Sequence, residues 1–303
     1  MSRKAKITVL GLMGSSVFMT VPHFHSVGET LSASSLYIEP GGKGCNQAVA
    51  SARSGADVSF ISCMGKDGIA VECLSFMEKE GIRCLTEYSS LAASPYACIL
   101  TDSTGENQVT VHRGSAEFLS AEFVRSCENI IAESDILLLN NECPLAANME
   151  ALEIAQKYGV KAVLNPAPYV SLPIDYLKRF YLITPNRHEA AMLTGLSAES
   201  SEDALISALC EMGISRLAIT LGAKGAAAFD GEKFIRCSAA EVTAVDTTGA
   251  GDCFNGVLCC TLAEGYSFEK ALDSAIRASG YSVSKHFVMP SLPRQAEWEN
   301  MPH

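Results

Sequence analysis

The segment Asp246-Thr247-Thr248-Gly249-Ala250-Gly251-Asp252 follows an extended stretch and opens an apolar run, Cys253 to Ala263. Small residues at such a point let the backbone turn tightly. They leave successive N–H groups free at a helix start, where the helix dipole also favours an anion. Asp252 lies in the same turn. A carboxylate beside an anion is repulsive unless it has a task, and taking a proton from an attacking hydroxyl is such a task. Taken alone, the fragment reads equally well as an ordinary helix start with Asp252 complementing the dipole. A second glycine motif, Gly41-Gly42-Lys43-Gly44-Cys45-Asn46-Gln47-Ala48, begins a helical stretch ending near Ser54. Its three glycines let a ligand approach the main chain closely. Lys43 and Asn46 offer hydrogen bonds suited to hydroxyl groups, and hence to a polyol. A capped helix with a solvated Lys43 is the plainer alternative. There is no Walker A pattern: Gly42-Lys43 and Gly65-Lys66 are not followed by Ser or Thr. No G-x-G-x-x-G follows the first apolar run, which argues against a Rossmann dehydrogenase.

Both motifs need a scaffold. Ile7–Leu10, Val58–Cys63, Ile136–Leu139, Lys161–Leu164, Tyr181–Ile183 and Leu217–Thr220 read as strands. Helical patterns alternate with them, at Cys45–Ser54, Gly68–Lys79, Leu145–Tyr158, Glu202–Met212 and Ala250–Ala263. Continuous apolar strands joined through helices predict an α/β fold with a parallel sheet, whose ligands sit at the carboxyl ends of the strands. Two regions break the rhythm. Val17 to Pro40 is polar and turn-rich, and Pro95 to Gly114 predicts a hairpin of Tyr96–Thr101 and Gln108–His112. Together they suggest a small separate sheet. The tail after Pro290 is Pro-rich and is expected to pack loosely.

The chain has 303 residues, 48% hydrophobic and 19% charged, which suits a globular protein. With 23 basic and 34 acidic residues its net charge is 23 − 34 = −11. That makes nucleic acid a poor partner. It also means an anionic substrate needs a local site of backbone amides. The 12 cysteines form no C-x-x-C pair, so buried thiols in a reducing cytoplasm are expected and zinc is not. No apolar stretch reaches the ~18 residues of a membrane span. The N-terminal run imitates a signal peptide, but Gly11 and Gly14 interrupt it and a buried first strand explains it better. A cytoplasmic protein is expected.

The two motifs, about 200 residues apart, resemble those of the ribokinase-like (PfkB) carbohydrate kinase family. Asn140-Asn141-Glu142-Cys143-Pro144, Leu164-Asn165-Pro166-Ala167-Pro168, Thr184-Pro185-Asn186-Arg187-His188-Glu189 and Ile219-Thr220-Leu221-Gly222-Ala223-Lys224-Gly225 lie between them in the family's order. The resemblance spans nearly the whole chain. It implies a three-layer αβα Rossmann-like sandwich over residues 1–303, with lid segments at roughly 15–40 and 95–114. It implies phosphorylation of a sugar's primary hydroxyl by ATP, with Asp252 as base and the amides of Gly249, Ala250 and Gly251 as anion hole. By the same resemblance Gly14, Ser16, Gly42, Lys43, Asn46 and Glu142 occupy sugar-contacting positions, and Asn186, Thr220, Gly222 and Gly225 nucleotide positions. Glu189 would act on Mg²⁺ through water. Asp246, Thr248, Ser282, Lys285, Phe287 and Ser291 would surround a monovalent cation such as K⁺, mostly through backbone carbonyls. A homodimer through the lid is also implied.

The chain departs from the family twice. Ribokinases carry Asn-x-Asp after the first strand, and here Gly14 and Ser16 stand in those places. Losing a charge-assisted bond of roughly 1.5–3 kcal/mol to the sugar predicts weaker binding of free ribose or room for another group. Phe18, Met19, His23, Phe24 and His25 would line such an enlarged pocket, with a surface turn the plainer reading for the two histidines. The expected acceptor is therefore not plain D-ribose. Near the end, Phe287 replaces a glycine whose conformations it is not expected to copy, which weakens the case for potassium. The rivals are a nucleoside kinase of the same family and a sugar or nucleotide sensor that has lost the chemistry. The intact Gly249-Ala250-Gly251-Asp252 argues against the sensor.

Overall fold

The structure, a computed structural model, describes residues 3–239 and 241–300. The strands are β1 (Lys6–Leu10), β2 (Gly14–Thr20), β3 (Ser35–Gly41), β4 (Asp57–Gly65), β5 (Arg83–Ser89), β6 (Tyr96–Thr101) and β7 (Asn107–His112). There follow β8 (Ile136–Asn140), β9 (Lys161–Asn165), β10 (Leu182–Ile183), β11 (Leu217–Thr220), β12 (Ala226–Phe229) and β13 (Phe234–Cys237). The helices are α1 (Lys43–Arg53), α2 (Gly68–Lys79), α3 (Ala121–Ser126), α4 (Glu128–Ala132), α5 (Leu145–Tyr158) and α6 (Ile174–Leu177). Then come α7 (Arg187–Thr194), α8 (Glu202–Glu211), α9 (Ala250–Ala263), α10 (Phe268–Ser282) and α11 (Gln295–Glu299).

A nine-stranded sheet runs β13-β12-β11-β10-β9-β8-β1-β4-β5. It is parallel from β5 to β11, and β12 and β13 add antiparallel at one edge. The apolar runs became these strands because both faces are covered. Ile7, Val9, Phe60 and Leu138 face a core with residues of α1, α9 and α10, while Leu10, Ile61, Leu137 and Leu139 face one with α5 and α8. Each such side chain contributes roughly 1.5–3 kcal/mol by leaving water. The chain winds from β1 toward β5 in one direction and from β8 toward β13 in the other. The strand order therefore reverses beside β1, the place where open α/β sheets bind ligands.

The two irregular regions pair with each other, in the order β3-β2-β6-β7. β6 and β7 form the expected hairpin, closed by the Asp102 N–H to the Glu106 carbonyl at 3.0 Å. β2 joins β6 in parallel and β3 antiparallel, and β2 begins at Gly14, shortly after β1 ends at Leu10. All 12 cysteines are free thiols and none is fully exposed. From Pro290 to residue 300 the tail departs from expectation, the rest of it lying outside the described residues. This part does not pack loosely: α11 folds onto α10, and Trp298, at 5% exposure, joins the core. The Pro-rich stretch ends in a short amphipathic turn whose large ring supplies that burial. No helix among the described residues is long and apolar enough to cross a membrane.

Candidate active site

The start of α9 lies at the carboxyl ends of the central strands. Gly249 is its N-cap, with φ 77°, a left-handed conformation that glycine takes without penalty. A helix start leaves its first N–H groups without partners. Among the described residues the N–H groups of Gly249, Gly251 and Asp252 have no acceptor, while that of Ala250 donates to the Thr247 carbonyl at 3.3 Å. The predicted anion hole is thus open at Gly249 and Gly251. At Ala250 it is already engaged in a long turn bond.

Asp252, 5% exposed, is held by two carboxamides of α1. The Asn46 side chain donates to one carboxylate oxygen at 2.8 Å and the Gln47 side chain to the other at 3.0 Å. Gln47 also donates to the Asn165 side chain at 3.1 Å and accepts from Asn140 at 3.4 Å. Asn165 in turn donates to the Thr184 carbonyl at 3.0 Å, and the Thr184 hydroxyl donates to Asn255 on α9. Asn140 ends β8, Asn165 ends β9 and Thr184 follows β10. Three strand ends therefore fix the rotamer of one carboxylate. Gln47 and Asn255 are further residues of the site that do not stand out in the sequence. Their signal was a polar residue on the buried face of an otherwise apolar helix. Asn46 keeps a buried side-chain oxygen without a partner, an acceptor suited to a substrate hydroxyl.

The start of α1 faces the same place and is closed differently. Glu142 accepts the Lys43 N–H at 3.0 Å and the Gly44 N–H at 3.1 Å. Burial raises its pKa from the usual carboxylate value to about 7, against these two bonds and the Lys43 charge, which lower it. Asp252 foremost, with Glu142 and Glu189, holds the Lys43 ammonium above its usual range. Two of the glycines here are required by packing. A Cβ on Gly44 would lie 2.6 Å from the Gly11 Cα, and one on Gly42 2.6 Å from the Leu12 carbonyl oxygen.

On the far side Asn186 caps α7 through a reciprocal pair. Its side chain accepts the Glu189 N–H at 2.8 Å, and Glu189 accepts the Asn186 N–H at 2.8 Å. Burial raises the Glu189 pKa, with the Lys43 charge working against it. Thr220 pairs with Asn186 as an extension of the sheet, and Gly222 beside it has open space around it. Gly225 is demanded by packing: φ is 90° and a Cβ would meet the Cys237 carbonyl oxygen at 2.1 Å.

Asp246 accepts the Thr248 N–H at 2.9 Å and the Phe287 N–H at 3.1 Å. The Ser291 hydroxyl donates to the Val288 carbonyl at 2.8 Å and meets the Ser282 hydroxyl at 3.1 Å, and the Ser282 carbonyl accepts the Lys285 N–H at 3.2 Å. The residues expected around a monovalent cation are thus gathered around one loop. Phe287 corrects an expectation, for it does adopt a glycine-like conformation, φ 64°. Such a residue carries a cost of roughly 1–2 kcal/mol. Here its ring stacks on Tyr37 with centroids 3.9 Å apart and meets Phe18 edge-on at 5.3 Å.

The enlarged sugar pocket is not formed. A Cβ on Gly14 would lie 2.2 Å from the Pro95 carbonyl oxygen, so Pro95, just before β6, already occupies the space an asparagine would need. Ser16 turns its hydroxyl against Gly41. His23 and His25 sit on an exposed turn, where His23 pairs with Glu29 at 2.9 Å, and Phe18 is committed to the aromatic cluster.

A parallel sheet reversing beside β1, an open helix start and a buried carboxylate beside it define an α/β protein with a place for an anion next to a candidate base. The chain belongs to the pfkB family of carbohydrate kinases, whose family model matches residues 4–295. It is 39% identical over 295 residues to a ribokinase of Haemophilus influenzae, covering 96% of each chain. It is 30% identical over 270 residues to a deoxyribokinase of Salmonella typhimurium, covering 88% of each. The Arabidopsis thaliana ribokinase structure complexed with ribose and ATP superposes with a TM-score of 0.91 at 25% identity, covering 99% of this chain and 100% of that one. The protein is accordingly a ribokinase-family carbohydrate kinase with a ribokinase-like α/β fold.

Proposed function

We propose that the protein transfers the γ-phosphoryl group of ATP to a primary hydroxyl of a pentose-sized sugar, with Asp252 as the base. The carrying observation is the placement of Asp252. It is buried, oriented by Asn46 and Gln47, and one residue from free amides at a helix start. Asp252 takes the proton of the attacking hydroxyl as the O–P bond forms. The Gly249 and Gly251 amides stabilise charge on the phosphoryl oxygens. The Ala250 amide joins them only by giving up its long turn bond. Lys43, held charged by three carboxylates, and Asn46 orient the acceptor. Glu142 acts chiefly by fixing the Lys43 turn. The small sheet serves as a lid that excludes water as a competing acceptor.

The donor set fits the expected cations. Glu189 keeps one carboxylate oxygen outside its capping bond and would hold Mg²⁺ through water beside the nucleotide loop of Asn186, Thr220, Gly222 and Gly225. Mg²⁺ would neutralise charge on the phosphates. Asp246 and the carbonyls of Thr248, Ser282, Lys285 and Phe287, with Ser291, are the oxygen donors that would hold K⁺. The apolar outer residues Leu36 and Ile38, 62% and 53% exposed, suit a homodimer through the lid. A cytoplasmic location agrees with the free thiols.

The acceptor reading follows from Gly14 and Ser16. With no carboxylate at position 16 and no space at position 14, ring hydroxyls are gripped less firmly but the pocket is no larger. This favours a pentose, with little discrimination against a 2-deoxy sugar, over a nucleoside. A coupled ADP-release assay with D-ribose, 2-deoxy-D-ribose, D-fructose and adenosine tests it. Comparable kcat/KM for the two pentoses is expected. A preference for D-ribose by a wide margin overturns the acceptor reading, and no turnover with any member overturns the kinase.

A further inference from the structure

The lid and the anion-binding turn are connected through the Glu39 carboxylate and the Phe287 ring, two side-chain groups for which the proposed chemistry has no direct use. Glu39, on β3, is a carboxylate only 4% exposed. Its two oxygens accept the N–H groups of Val288 and Met289 at 2.9 Å and 3.0 Å. A buried carboxylate persists only where such bonds satisfy it. These bonds hold a loop from another part of the chain, 249 and 250 residues away in sequence. The same loop carries Phe287, whose ring lies between Tyr37 of β3 and Phe18 of β2. The lid thus grips the loop by a carboxylate and by an aromatic wedge.

The loop grips the turn in two ways. The Phe287 N–H donates to Asp246, whose other oxygen fixes Thr248, the residue before Gly249. The Val288 side chain also rests on Gly249, so close that a Cβ there would lie 2.6 Å from it. Every link from Glu39 to Gly249 is a hydrogen bond, a covalent bond or van der Waals contact.

We propose that Glu39 and Phe287 are positioning residues that couple the seating of the lid to the alignment of the Gly249–Asp252 turn. Breaking either grip lets the lid sit without the loop, or the loop without the lid. The turn then loses the support that keeps its amides aimed at one point. The catalytic consequence rests on the kinase reading, but the coupling itself does not.

Two measurements separate these. The first is hydrogen–deuterium exchange on wild-type protein, Glu39→Gln and Phe287→Gly. Exchange in peptides covering residues 244–256 is expected to rise several-fold in both variants, with the peptides of β8 and β9 unchanged. No rise at 244–256, or an equal rise throughout the fold, overturns the coupling whether or not the protein is a kinase. The second is steady-state kinetics with MgATP and the faster of the two pentoses, well below each variant's Tm. Each single variant is expected to lose about tenfold in kcat with the KM for ATP within twofold of wild type. The double variant should be no slower than the worse single, because the two residues act as one unit. Losses that multiply, or a change confined to KM, overturn the positioning role.

Discussion

Two helices begin within the same site, each after a glycine and neither with a side-chain cap of its own. At α1 a carboxylate of the protein, Glu142, fills the place an anion would take. At α9 no described residue does so, and a second carboxylate, Asp252, waits at the third position of the helix. Their electrostatics are alike, since both present partial positive charge from amides that have no acceptor within their own helix. They differ in whether the fold supplies the counter-charge. A glycine-rich helix start therefore marks an anion site only when the tertiary structure leaves it empty. The α1 motif is closed as a support for Lys43 and Asn46, and the α9 motif is the proposed phosphoryl site.

The most damaging substitution under this contrast is Asp252→Asn. It should lower kcat by about 10²–10⁴-fold with little change in ATP affinity, as read by steady-state kinetics and nucleotide titration. Near-normal turnover would erase the distinction between the two helix starts. Gly44→Ala should damage the fold and not the chemistry directly. Its Cβ meets backbone that cannot yield, so a loss of several kcal/mol in urea unfolding is expected. Gly249→Ala meets only the Val288 side chain but strains φ, and should cost about 1–2 kcal/mol of stability while impairing turnover disproportionately. Next comes anion binding itself. Inorganic phosphate should raise the Tm of wild type and of Glu142→Gln alike, and raise that of Gly249→Ala less. Protection that depends on Glu142 instead would place the anion at α1.

The smallest effect is a pH dependence. The Glu142 pKa is raised to about 7 by burial, above its value in the unfolded chain. Between those values the folded state binds more protons than the unfolded one, so stability falls as pH rises. The contribution is fully present below the unfolded pKa and is lost as pH passes through about 7. Glu142→Gln removes the titration. The Tm difference between wild type and variant should therefore shift against wild type by roughly 2–5 °C from pH 5 to pH 8. A pH-independent difference would mean that the Lys43 and Gly44 amides keep Glu142 ionised throughout.

The central strands were legible because burial on both faces leaves continuous apolar runs, as in Ile136–Leu139. The hairpin Tyr96–His112 was legible from its turn residues. β5 was not, since Arg83–Ser89 is a half-buried edge strand with charges in it. The tail was misjudged because prolines after Val288 hide a short helix whose one tryptophan reaches the core. In the site, Asp252, Lys43 and Asn46 stood out through residue type and spacing. Gln47, Asn255 and Glu39 did not, because a polar residue in an apolar neighbourhood has no visible partner until distant segments meet.

The order of the signatures, the two helix starts and the carboxylate at position 252 were all determined along the chain, because they depend on local turns and periodicity. Which glycines answer to packing, which helix start stays open, and how Phe287 tolerates its backbone were decided only in three dimensions. Each of these depends on a contact partner from a remote segment: Gly11 against Gly44, Glu142 against Lys43, Tyr37 against Phe287.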